Sequence, residues 1–164
     1  MSSMIGGLAP DQSTMRMVMG HFATGVTVIT ATDAGEPVGL AANSFTSVSL
    51  DPPLVLFCAA HSSSTWPRIE AAGHYCVNIL SEESEATCRV FAAPGDRFGQ
   101  VSWHAGVTGA PVLDDALAYI DCEIHDKFDG GDHVIVVGRV IELGHREHGK
   151  PLAFYRGGYG RFDQ

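Results

Sequence analysis

The sequence predicts a mainly β protein, an antiparallel barrel or sandwich with a few short helices, and three observations lead there. Residues 118–125 alternate in strict period two, with Ala118, Ile120, Cys122 and Ile124 on one face and Tyr119, Asp121, Glu123 and His125 on the other; a strand with one face on a core and one in water reads this way. About seven apolar or β-branched runs of strand length are separated by Gly, Pro and Asp turns. No strand alternates with a helix in a βαβ unit, so a parallel sheet is excluded.

The elements follow in order. Ser13 is placed to cap a helix over Thr14 to Phe22, where Met15, Val18, Met19 and Phe22 recur at helical spacing and would pack on the body. Val26 to Thr32 and Val38 to Ala42 read as a hairpin about the turn 33–37, Ser44 to Leu50 as a third strand stopped by Asp51-Pro52-Pro53, and Leu54 to Ala60 as a fully buried strand. Hydroxyl residues from Ser63, Pro67 in the first turn and Gly73 at the end bracket a second helix. Tyr75 to Leu80 is a strand, and Ser81 caps a short amphipathic helix ending by Pro94-Gly95. A polar loop carrying Asp96, Arg97, Phe98 and Trp103 leads to the alternating strand. Asp129-Gly130-Gly131-Asp132 turns the chain into Val134 to Val140, and Pro151 to Arg156 is a last strand before a Gly-rich tail.

The 164 residues suit a single domain, 1–164, with 1–12 as a flexible arm and no linker or repeat. Ten Lys and Arg against nineteen Asp and Glu give a net charge of −9, the wrong sign for nucleic acid or an anionic membrane. A local pocket of cations and backbone N–H groups can still hold a small anion. The four cysteines form no C-x-x-C pair, no run suits a membrane span and the start does not resemble a secretory signal; a cytoplasmic protein with free thiols is expected.

The common nucleotide and hydrolase signatures are missing, and no spacing of ligands suggests a metal. What stands out is small and hydroxyl residues between apolar strands: Gly39 to Ser47, then Ser62-Ser63-Ser64-Thr65-Trp66. Small residues let a flat ligand lie on the backbone, and hydroxyls with a helix start satisfy a phosphate. The other reading is hydroxyls on a wet sheet face and a helix cap. Trp66 and Trp103 suit core or dimer anchors as well as ring stacking, and Cys58, in an apolar strand, reads as an inert small hydrophobe.

The stretches GHFATGVTVITA, VGLAANSFTSVSLDPPLVLFC, SSTWPRIEAAGHYCVNIL, DGGDHVIVVGRV and PLAFYRGGYG, together and in this order, resemble the flavin reductase components of two-component flavin-dependent monooxygenases from Met17 to Tyr159. The resemblance implies an FMN-binding split β-barrel, a homodimer, and reduction of FAD or FMN by NADH or NADPH, with reduced flavin released to a separate monooxygenase. It places Pro37, Val38, Gly39, Leu40, Ala41, Asn43 and Ser44 along the isoalloxazine, Cys58, Ala59 and Ala60 beneath the ribityl chain, and Ser64, Thr65 and Trp66 at the phosphate. Arg97, followed by Phe98, would add a charge-assisted phosphate contact, with a surface salt bridge as its alternative. His133 would orient the nicotinamide nucleotide as the one catalytic residue, or be a plain strand residue; Phe154, Tyr155, Arg156 and Gly157 would bind the same nucleotide. Position 41 is often Thr in relatives and is Ala here, so that hydroxyl is missing.

Hydride transfer between two bound rings asks the protein for position rather than for a strong acid or base, in keeping with the lack of a triad. Two lysines only, Lys127 and Lys150, favour NADH over NADPH, whose extra phosphate wants a cation. Two other readings stay open: a flavin-holding electron relay and a flavin oxidase of another substrate.

Overall fold

The computed structural model describes residues 4–95 and 97–163. Residues 4–11 of the expected arm are exposed and in neither helix nor strand, and residues 1–3 lie outside the described residues. Helix α1 (Gln12–Met19) is capped by Asp11 and not by Ser13: Asp11 Oδ1 accepts from the Thr14 N–H at 2.8 Å and from Ser13 Oγ at 3.0 Å. A carboxylate answers both the free N–H groups and the positive helix end, which a hydroxyl does less well. Nor does α1 pack on the body. None of its residues is buried, and Met15, Met17, Val18 and Met19 are each more than half exposed, because an apolar stripe needs a facing surface that one chain does not supply here.

Strands β1 (Thr24–Gly25), β2 (Thr27–Asp33) and β3 (Glu36–Ala42) follow, then β4 (Thr46–Leu50), β5 (Pro53–Ala60), helix α2 (Trp66–Ala72) and β6 (His74–Leu80). The β2–β3 turn is only Ala34 and Gly35, both at positive φ (50° and 82°), the two-residue geometry that matches strand twist. Helix α3 (Glu85–Ala92) starts after Ser84, whose side chain makes no capping bond; the expected cap, Ser81, accepts from the Glu83 N–H and pairs with the Ser84 hydroxyl.

The polar loop that the sequence suggested near Trp103 contains a short hairpin, β7 (Trp103–Ala105) and β8 (Pro111–Leu113). Then come β9 (Ala116–Gly130), β10 (His133–His145), β11 (Leu152–Tyr155) and β12 (Gly158–Arg161). The Gly-rich tail is thus a strand, reached through a tight turn at Arg156 and Gly157 (φ 50° and 78°).

Seven strands form one antiparallel sheet in the order β3-β2-β6-β9-β10-β5-β4, with β1, β11 and β12 in a second and β7 and β8 in a third. The large sheet curls until β3 meets β5. Just past β3, Ser44 Oγ accepts from the Cys58 N–H at 2.9 Å and donates to the Cys58 carbonyl at 3.1 Å, so a side chain makes the seam. The core inside holds Ile29, Phe57, Ile69, Tyr75, Val77 and Val136, all at 0% exposure, with Phe57 edge-on to Tyr75 at 4.9 Å.

Strand β5 is not fully buried as expected: Val55, Phe57 and Ala59 face the core, while Leu54, Leu56, Cys58 and Ala60 are half-buried. The alternation arises because only one of its faces meets the core. On β9, Asp121 belongs to the face read as wet, yet it is fully buried. The loop between β7 and β8 folds over it, and its carboxylate accepts from Thr108 Oγ1 at 2.6 Å and the Thr108 N–H at 3.1 Å, which makes burial tolerable. Asn78 likewise donates to Val28 C=O and Thr30 Oγ1 and accepts from the Leu113 N–H, pinning β8 to the sheet.

A Cβ at Gly138 would lie 2.2 Å from Tyr75 Oη, a buried atom without a hydrogen-bond partner. Gly138→Ala should therefore cost about 2 kcal/mol of stability by overpacking. Tyr75→Phe should be neutral or stabilising, since it removes an unsatisfied hydroxyl, and should recover part of the loss in the double variant. Urea denaturation of the three variants checks this; a strongly destabilised Tyr75→Phe would contradict it.

Candidate functional site

Strand β3 is an edge strand, and three clefts follow it and its exit in chain order. The first, of about 660 Å³, is lined by Pro37, Val38 and Gly39 of β3, Ser64 and Thr65 before α2, and Arg97 and Phe98 after α3, with Glu36, Arg68, Pro94 and Gly95 on the rim. Asp96 lies outside the described residues. Arg97 donates through Nε to the Ala93 carbonyl at 2.9 Å and through Nη1 to the Gly39 carbonyl. It therefore stands as a backbone-anchored cation, and among the described residues no carboxylate pairs with it. Phe98 stacks edge-on between Phe91 (5.1 Å) and Trp103 (5.9 Å).

Sequence reasoning missed Arg68. Its guanidinium bonds Asp33 and Glu36, each at 3.1 Å, and those two carboxylates hold its pKa above the ordinary value. Its place three residues after Thr65 was the available signal. Trp66 reaches none of these clefts: the residue is 7% exposed, its ring is edge-on to Phe57 at 6.1 Å, and its backbone N–H donates to Ser63 Oγ. The ring is a core anchor.

The second cleft, of about 140 Å³, is bounded by Ala41, Ala42 and Asn43 with Val26, Cys88, Phe154 and Tyr159. Leu40 points the other way and packs on the main core. Tyr159 Oη lies 3.2 Å from Cys88 Sγ, and that hydrogen bond, aided by burial, pushes the phenol up to about 12. Arg89 sits over the Tyr159 ring at 4.9 Å.

The third and largest cleft, of about 910 Å³, brings Asn43, Ser44, Phe45 and Thr46 together with Phe154 and Gly157. Thr24, Gly25, Val26, Thr27 and Ile79 complete its floor, and Arg16, Met19, Gly20 and Phe22 come from α1 and its exit. Tyr155 is exposed and meets His21 edge-on at 6.4 Å, and the Arg156 N–H donates to the Gly20 carbonyl at 2.8 Å.

Cys58 and Ala60 show their half-buried sides on the outer face of β5, whereas Ala59 points into the core. His133 pairs with Ala60 across the strands and lines none of the three clefts. Its Nδ1 lies 2.7 Å from Asp132 Oδ1, and the imidazole holds that carboxylate below the usual range.

Hydroxyls and two guanidinium groups at one end, small residues along an open strand and a wide apolar hollow at the other end fit an extended ligand with a phosphate and a flat ring. Thr24 Oγ1, buried without a partner in the wide cleft, is a spare polar atom for it. Such a donor set on an antiparallel barrel defines a flavin-nucleotide protein. The chain belongs to the flavin reductase like domain family, whose pattern it matches over residues 19–163.

It is 46% identical over 152 residues to the flavin-dependent monooxygenase reductase subunit HsaB of Rhodococcus jostii, covering 92% of this chain and 78% of that one. It is 42% identical to the FMN reductase (NADH) SmoA of Agrobacterium fabrum, over 94% of this chain and 88% of that one. The structure of the NADH:FAD oxidoreductase SgcE6 of Streptomyces globisporus, solved with NAD and FAD fragments, superposes with a TM-score of 0.92 at 39% identity, covering 97% and 98% of the two chains. Among the described residues no helix is long and apolar enough to cross a membrane, and no three His, Cys, Asp or Glu side chains gather to hold a metal.

All four cysteines are free, and burial pushes each thiol above its ordinary pKa, Cys122 to about 12. The native protein should therefore react slowly with a disulfide reagent at pH 8 and yield all four thiols only when unfolded. Rapid labelling of Cys58 in the native state would contradict this.

Proposed function

We propose that this chain is an NADH-dependent flavin reductase that passes hydride equivalents to FAD or FMN and releases the reduced flavin to a separate flavin-dependent monooxygenase. The observation that carries the reading is the succession of clefts along β3, from the hydroxyl and guanidinium end at Ser64, Thr65 and Arg97 to the wide cleft at Asn43, Ser44 and Phe154. The related reductase subunit and the two NADH-linked relatives support it.

In this reading the bound cofactors supply the chemistry, a hydride passing from nicotinamide to flavin. Ser64, Thr65 and Arg97 hold the flavin phosphate, and the backbone of residues 37–41 with Asn43 and Ser44 supports the ring. Cys58 and Ala60 border the ribityl chain from β5. Phe154, Tyr155, Arg156, Gly157 and His133 receive the nicotinamide nucleotide. Asp132, at 2.7 Å from Nδ1, orients the His133 ring and leaves Nε2 to face the ligand.

The exposed apolar stripe of α1 suits a homodimer in which a second copy packs on that stripe and completes the wide cleft at its rim without filling it. The free thiols suit a reducing cytoplasm.

Loss of absorbance at 340 nm under air tests the reading. Oxidation of NADH should require added FAD or FMN and saturate with it; none with either flavin would refute the proposal. His133→Ala should raise KM for NADH several-fold and leave flavin affinity nearly intact, read by initial rates and flavin fluorescence titration. A large loss of flavin binding instead would remove His133 from the nicotinamide role.

A further inference from the structure

We infer that Arg16 is the anchor for the phosphates of the nicotinamide nucleotide in the wide cleft, an inference that rests on the reductase reading above. Arg16 is the one charged residue among those lining that cleft, and no Asp or Glu lines it. In a chain of net charge −9, this makes the cleft a place where a polyanion is drawn in and not repelled.

Among the described residues no carboxylate pairs with the guanidinium of Arg16, whereas Arg68, Arg89 and Lys127 each have one. Nor does Arg16 serve a core, since its helix buries none of its residues. Yet that helix is fixed at the cleft mouth. The Gly20 carbonyl just past α1 accepts from the Arg156 N–H, in the turn that the sequence resemblance assigns to the same nucleotide. His21 closes the helix end with Nδ1 3.0 Å from the Met17 carbonyl and its ring on Tyr155.

The flavin phosphate has its own donors at the far end of β3, in Ser64, Thr65 and Arg97, so the free guanidinium is left for the second nucleotide. Planar guanidinium donors suit a pyrophosphate, which they can bond at two oxygens.

The test is calorimetric titration of the intact, flavin-saturated protein with NAD⁺ and with ADP-ribose, for the wild type, Arg16→Gln and Arg16→Lys. Arg16→Gln should weaken both ligands roughly tenfold, the scale of a lost charge-assisted hydrogen bond, and Arg16→Lys should recover part of it. FMN and FAD affinities should stay within about twofold, and the melting temperature should not move, because Arg16 carries no packing. In turnover, KM for NADH should rise with kcat little changed.

Equal NAD⁺ affinity in the wild type and Arg16→Gln would overturn the inference. So would a selective loss of FAD affinity with FMN unaffected, which would put Arg16 on the flavin's adenylate. A wild-type protein that neither binds NAD⁺ nor oxidises NADH would remove the reductase reading itself, and the role of Arg16 with it.

Discussion

The structure depends on how its seven-stranded sheet closes. Strands β3 and β5 meet without a ladder between them, and the Ser44 hydroxyl bridges the seam by taking both backbone groups of Cys58. A ladder would have consumed the backbone groups of β3 along its length. Closure at one point leaves that strand open, with small residues and free peptide edges beside three clefts. Behind it, Ile29, Phe57, Tyr75 and Val77 pack at full burial, so the open edge is carried on a rigid wall and its geometry is set before any ligand arrives.

Charge is arranged in opposition to the chain's overall sign. Ten basic residues against nineteen acidic ones predict repulsion of nucleotides at long range, but the clefts concentrate the exceptions: Arg68 and Arg97 at one end of the edge, Arg16 at the other. Arg68 is partly neutralised by Asp33 and Glu36, which lie on either side of the β2–β3 turn. Net charge speaks to solubility and encounter, and a pocket is decided by the few groups that line it.

Much of the architecture was legible because period-two burial writes itself into residues such as Ala118, Ile120 and Cys122. The pattern failed where a loop supplied the cover: Asp121 looks like a solvent-facing position until Thr108 folds over it. Strands of three residues, β7 and β8, are too short to show a period at all. For the site, the small and hydroxyl residues of 39–47 and 62–65 stand out as a composition anomaly. Arg16 does not, since a cation on an amphipathic helix looks the same in sequence whether it faces water or a cleft, and Arg68 offers only its place three residues after Thr65. Trp66 shows the converse: it stands in sequence beside the Ser/Thr run, but spacing cannot tell that the ring turns inward onto Phe57.

Two details of β3 bear on how molecules of this protein behave toward one another. Pro37 offers no N–H, and the Gly39 carbonyl is already occupied by Arg97. An unpaired sheet edge is a template on which a strand from a neighbouring chain can add itself. Here the template is broken at two positions close together, so a third strand finds no regular sequence of donors and acceptors to copy. The edge is left accessible to a small molecule, which needs a few scattered contacts, and is closed to a polypeptide, which needs an uninterrupted row.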